Sequence, residues 1–147
     1  RDLLVHPRES DLIVGTYGGD IYAYDSNTMQ LLWSDTTTHT GFITDIQFES
    51  STDVYVASAD GKIVHYDSNT GAVIQSYVVS ENIIYSFDMD NDYLYVGDSK
   101  DMLYKIRKSD GVEVWTGSGI NIFGVSSAYP TWDNVYSVKL IGNYVYA

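Results

Sequence analysis

No cysteine occurs among the 147 residues, and only eight are lysine or arginine. The first absence removes a disulfide framework, a thiolate nucleophile and any cysteine-based zinc site. The second leaves twenty acidic residues largely unbalanced, with a formal charge of -12 that would repel a phosphate backbone or an anionic lipid surface. We therefore expect no nucleic-acid partner. No apolar run approaches the roughly 18 residues a membrane helix needs, and no basic-then-apolar leader opens the chain, so no membrane insertion is expected. An Asn-x-Ser/Thr sequon is also missing. What remains is 44% hydrophobic, enough for a real core. Its wealth of Tyr, Ser, Thr, Asn and Asp leans toward an extracellular, cell-surface or virion protein.

The pentapeptide YDSNT occurs twice, at Tyr24 to Thr28 and at Tyr66 to Thr70. Aligning the copies brings Val14 over Val56, Ile21 over Ile63 and Trp33 over Gln75. A third unit follows with Val96, Leu103, Arg107 and Trp115 at the same internal spacing, so the period is 42 and then 40 residues. A fourth begins where NYVYA resembles NDYLYV. Periods near 40 mark stacked supersecondary units, and this length suits a blade of four antiparallel strands. The units are residues 1–37, 38–79 and 80–117, with a long connection at 116–134 and the start of a further unit at 135–147.

Short β-branched and aromatic runs separated by Gly, Asp and Asn argue for an all-β fold. In the second unit the expected strands are 43–48, 53–58, 62–66 and 72–77, joined by 49–52, the Asp60-Gly61 turn and the loop at 67–71. LIVGTY, VYVAS and YLYVGD are apolar at nearly every position, as sheets covered on both faces should be. Asp25 and Asp67 head a loop whose next amides their carboxylates can accept, and Gly71 and Gly111 close it in a left-handed conformation. The first unit has Met29 at that position. This predicts either left-handed strain there or a different turn.

Residues 39–48, HTGFITDIQF, followed by VYVASADGKIVHYD, resemble a WD repeat, with Tyr66-Asp67 where that family usually has Trp-Asp. YDSNTMQLLW and SDGVEVWTG resemble quinoprotein-type (PQQ-like) repeats, in which a recurring Trp docks between blades. Both resemblances imply a β-propeller with blades around a central channel. They assign structural roles to His39, Asp25, Asp67, Trp33 and Trp115. Three units and part of a fourth do not close a ring, because propellers use about four to eight blades. We therefore expect part of a larger propeller, completed by further blades from the same chain or another.

Asp88, Asp90 and Asp92 alternate in DMDND and form the one weak calcium candidate, although the stretch lacks the Gly and Glu of an EF-hand loop. The histidines His6, His39 and His65 share no metal-ligand spacing. Nucleophile-elbow, phosphate-loop and dinucleotide motifs are missing, so no catalytic residue and no cofactor is assigned. The connection at 116–134 is roughly ten residues longer than its counterparts. It carries Phe123, Tyr129, Pro130 and Trp132, and Phe123, Tyr129 and Trp132 are candidate partner contacts. The leading expectation is a non-catalytic protein-interaction or assembly scaffold with protein partners. A quinoprotein-like oxidoreductase, needing a quinone and a calcium ion, and a carbohydrate-binding propeller are the alternatives.

Overall fold

The computed structural model describes residues 4–8, 11–115, 120–121 and 135–147. Among them the chain forms strands and turns only. The first sheet takes β1 (Leu4–Arg8), β2 (Asp11–Gly15), β3 (Ile21–Asp25) and β4 (Leu31–Asp35) in sequence order. The second takes β5 (Ile43–Phe48), β6 (Asp53–Ser58), β7 (Lys62–Asp67) and β8 (Val73–Val78). The third takes β9 (Ile84–Met89), β10 (Tyr93–Asp98), β11 (Met102–Arg107) and β12 (Ile120–Asn121), and β13 (Lys139–Ile141) pairs with β14 (Tyr144–Tyr146). All pairings are antiparallel between consecutive strands, and the first strands β1, β5, β9 and β13 lie side by side. These are propeller blades around an axis lined by first strands.

Second strands confirm burial on both faces. Val54, Tyr55, Val56 and Ala57 are all at most 2% exposed, which no sheet with one wet face could achieve. Their side chains alternate between two clusters: Val54 and Val56 join Ile13, Ile21 and Trp33, whereas Tyr55 and Ala57 join Ile84, Phe87, Leu94 and Val96. The core is thus a series of layers between blades. A third layer joins Tyr95 and Leu103 to Val135 and Val138. Each fully buried large side chain contributes about 1.5–3 kcal/mol, so each layer ties neighbouring blades together strongly.

The turn after the third strand repeats three times. Met29, Gly71 and Gly111 each donate an amide to the carbonyl of residue i-4, Asp25, Asp67 and Arg107, at 2.8 Å. All three are left-handed, with φ of 56° at Met29, 73° at Gly71 and 72° at Gly111. The first of the two alternatives for Met29 therefore holds: the turn is the same and the methionine carries the strain. Asp25 Oδ1 accepts the amides of Asn27 and Thr28, and Asp67 Oδ1 those of Asn69 and Thr70, at 2.8–3.0 Å. That shared hydrogen-bond pattern is why YDSNT recurs. Where the third unit has Arg107, its guanidinium instead pairs with Asp110 at 2.7 Å across the same turn.

Two strand limits differ by a residue from expectation. The Ala72 carbonyl accepts the Asp67 amide and so belongs to the turn, which moves β8 to Val73–Val78 and extends β7 to Asp67. The outer strand of the third blade is also split. Glu113 bridges Ile106 as Val73 pairs with Tyr66, but Met102 then pairs with Asn121 instead of a residue near 118.

Candidate functional site

On one rim lie the β2–β3, β6–β7 and β10–β11 hairpins and the connections into β5, β9 and β13. His39 sits there, 5% exposed, with Nδ1 2.9 Å from Ser58 Oγ and 3.7 Å from Asp60 Oδ2. The Ser58 hydroxyl donates to Asp60, so its oxygen accepts from the His39 Nδ1–H. This polarity is the reverse of what a serine nucleophile needs from its base. Asp60 also accepts the amides of Thr40 and Lys62 and lies 3.3 Å from Lys62 Nζ. Burial raises its carboxyl, but the Ser58 hydroxyl, these amides and His39 outweigh that and hold it down to about 2. Burial pushes the His39 imidazole below its ordinary value, against the pull of Asp60. The cluster knits the hairpin to the connection ahead of its own blade.

A second polar seam lines the axis. Asp45 Oδ2 accepts the Phe87 amide at 3.1 Å, and the Gln47 side chain donates to the Phe87 carbonyl. One blade on, Ser86 Oγ accepts the Val138 amide at 3.2 Å, and Asp88 Oδ2 accepts the Leu140 amide at 2.8 Å. Side chains therefore replace backbone pairing between neighbouring first strands. Asp88 belongs to this seam, with Lys139 Nζ at 3.0 Å. Asp90 instead folds over its own hairpin, accepting the amides of Asp92 and Tyr93 and the Tyr95 hydroxyl. The three aspartates of DMDND thus face different partners, and among the described residues no group of three or more His, Asp or Glu is placed to hold a metal.

At the opposite rim the blades are locked by rings. Trp33 Nε1 donates to the Ser68 carbonyl of the next blade at 2.7 Å, and its ring lies 6.1 Å from that of Tyr66. Gln75 occupies the same repeat position in the second blade, and there Tyr77, two residues on and so on the same strand face, donates to the Lys108 carbonyl at 3.0 Å. Sequence comparison by fixed spacing misses this substitution. Trp115 packs its ring 6.0 Å from Tyr95. Lys108 adds a buried tie, with Nζ 2.6 Å from Glu49 Oε1 and 5.1 Å above the Tyr55 ring. His65 is held inside its own blade by Asp53 at 2.8 Å and by stacking on Tyr55 at 4.3 Å.

The His39 rim also carries exposed aromatics. Tyr17 is 67% exposed and stacks on Phe42 at 5.2 Å, with rings parallel to within 2°. Tyr136 is 68% exposed and lies 5.1 Å from Tyr85. Neither pair is evident from the sequence, because each joins a hairpin or connection to a strand of another unit. Phe123, Tyr129 and Trp132 lie outside the described residues. The connection that bears them rejoins the fold on this rim, where the Val135 amide donates to the Asp98 carbonyl at 3.1 Å.

Residues 9–145 match the family described as outer membrane protein assembly factor BamB. The chain belongs to this family. Its likeness to the PQQ-like repeats of the BamB family thus spans nearly the whole chain, while its solved neighbours include WD propellers. The computationally designed Ika8 protein superposes with a TM-score of 0.78 at 18% identity, covering 96% of this chain and 40% of that one. The designed Ika4 protein gives the same TM-score and identity, covering 96% and 80%. The WD40 propeller domain of Doa1 gives 0.74 at 16% identity, covering 92% and 42%. At such identities these neighbours establish the fold alone. The chain spans about two fifths of the Ika8 and Doa1 chains. No curated protein matches the sequence.

Proposed function

We propose that this BamB-family chain is part of a non-catalytic scaffold that holds a protein partner against the Tyr17–Tyr136 rim and serves in assembly. The observation that carries the reading is the pair of exposed aromatic stacks, Tyr17 on Phe42 and Tyr136 beside Tyr85, raised on blades that are cross-tied along the axis and at the opposite rim. Exposed Tyr rings on a rigid support offer large contact area at small entropic cost. Support also comes from the family description, assembly factor, and from the inverted polarity of the His39–Ser58–Asp60 cluster, which suits cohesion and not nucleophilic attack. The outer-membrane name of the family fits a surface location for the assembly. Among the described residues no helix is long and apolar enough to cross a membrane.

The test is partner retention by the full-length protein. Tyr17→Ser with Tyr136→Ser removes two exposed rings and should leave the melting temperature within about 2 °C, since surface changes cost little. The double variant should lose its co-purifying protein partner, while Asn69→Ala at the opposite rim retains it. Equal retention by both variants would refute the rim as the contact.

A further inference from the structure

A groove of about 390 Å³ opens between the outer parts of the second and third blades, lined by Val78, Ser80, Glu81, Asn82, Tyr104 and Glu113. The repeat explains its position. In the preceding seam the corresponding place holds the His39 imidazole, bonded to Ser58. Here Ser80 bonds Asp98, the counterpart of Ser58, and the shorter side chain leaves the space beside it unfilled.

The hydrogen-bonding character of the groove is one-sided. Ser80 Oγ donates to Asp98 Oδ2 at 2.8 Å, Tyr104 Oη to the same oxygen at 3.0 Å, and Asn82 Nδ2 to it at 3.3 Å. Every neutral donor of the wall is thus turned inward to one buried carboxylate. What the wall presents outward is the Glu81 and Glu113 carboxylates, the Tyr104 ring and the Val78 side chain, which is 78% exposed. Neither lysine nor arginine is among the lining residues. Such a surface complements a ligand that has donors only, carries positive charge, and ends a flexible apolar stem. A guanidinium has five N–H donors, no acceptor and a planar face suited to an aromatic ring. A neutral sugar brings acceptors that this wall cannot satisfy, and an anion would be repelled.

We propose that the groove receives an arginine side chain from the protein partner, its stem along Val78, its guanidinium between Glu81 and Glu113 and against Tyr104. The source of the arginine rests on the scaffold reading. The recognition chemistry does not, so the two are separable by experiment.

The full-length protein, labelled for amide NMR, is titrated with the peptide acetyl-Gly-Arg-Gly-amide and with its lysine and citrulline counterparts. The expected result is a saturable shift of the amides of residues 78–82 with arginine, a weaker one with lysine and none with citrulline. Glu81→Gln with Glu113→Gln should weaken arginine binding by about tenfold or more. Glu81→Gln alone, at an exposed position, should weaken it measurably with the rest of the spectrum unchanged. The proposal is overturned by no saturable shift, by equal response to lysine or citrulline, by undiminished binding in the variants, or by N-acetylglucosamine shifting these amides where arginine does not. If the peptide binds while the rim variants keep their partner, the groove stands and the rim reading fails; the converse pair of results keeps the rim and removes the groove.

Discussion

Trp33 donates its indole N–H to the Ser68 carbonyl of the next blade at 2.7 Å, and the ring covers Gly71 so closely that an added Cβ there would meet ring atoms at 2.6 Å. Ring and glycine thus define one another across the seam. Trp33→Phe keeps much of the packing but leaves the Ser68 carbonyl without this donor, which should cost about 1–2 kcal/mol in denaturant unfolding. Trp33→Ala should cost about 3–5 kcal/mol. Tyr77→Phe, which removes the corresponding bond to Lys108, should cost about 1 kcal/mol. A Tyr77→Phe variant as stable as the parent would show that the hydroxyl is not a working substitute for the indole.

The same turn makes opposite demands at two positions. Met29 is left-handed at φ 56° and its side chain is exposed, so Met29→Gly relieves strain and should be neutral or stabilising by up to about 1 kcal/mol. Gly71→Ala places a methyl group in the Trp33 ring as well as in a left-handed backbone. It should destabilise by about 2 kcal/mol or more. Chemical denaturation of the two variants beside the parent decides it, and a destabilised Met29→Gly would contradict the shared turn.

Stability should fall in two stages on acidification. Burial lowers the His39 pKa in the folded chain, so the unfolded chain binds a proton first and stability begins to drop as pH falls through its ordinary value of 6.5. Asp60 is held at about 2 when folded against an ordinary 3.8, so its contribution is complete above pH 4 and is lost between about pH 4 and pH 2. That contribution is about 2 kcal/mol at most. His39→Gln should remove the first stage and Asp60→Asn the second in pH-dependent unfolding curves. An Asp60→Asn curve that falls as steeply as the parent below pH 4 would contradict the assignment.

Much of the blade was readable in advance because its punctuation is local chemistry. The Asp that caps its own turn, the left-handed residue that closes it and the second strand apolar at every position all depend on neighbours a few residues away, so they recur at fixed spacing. The contacts between blades were less readable. Tyr77 takes over from Gln75 two positions along because a strand face repeats every second residue, and a fixed register hides such a shift. Asp45 and Asp88 read as two more acidic turn residues, yet they bind the backbone of the next first strand, 42 and 52 residues away. The aromatic rim and the groove arise only when separate units meet. The groove in particular comes from what Ser80 lacks beside His39, and spacing alone does not reveal a missing ring.

The most direct test of the scaffold account is photo-crosslinking in the native setting. A benzophenone amino acid is placed in the full-length protein at position 17, 136, 32 or 69, one at a time, so that both rims and an outer strand are sampled. The account predicts protein adducts from positions 17 and 136 and none from 32 or 69. Adducts only from the outer strand or the opposite rim, or none from any position, would contradict it.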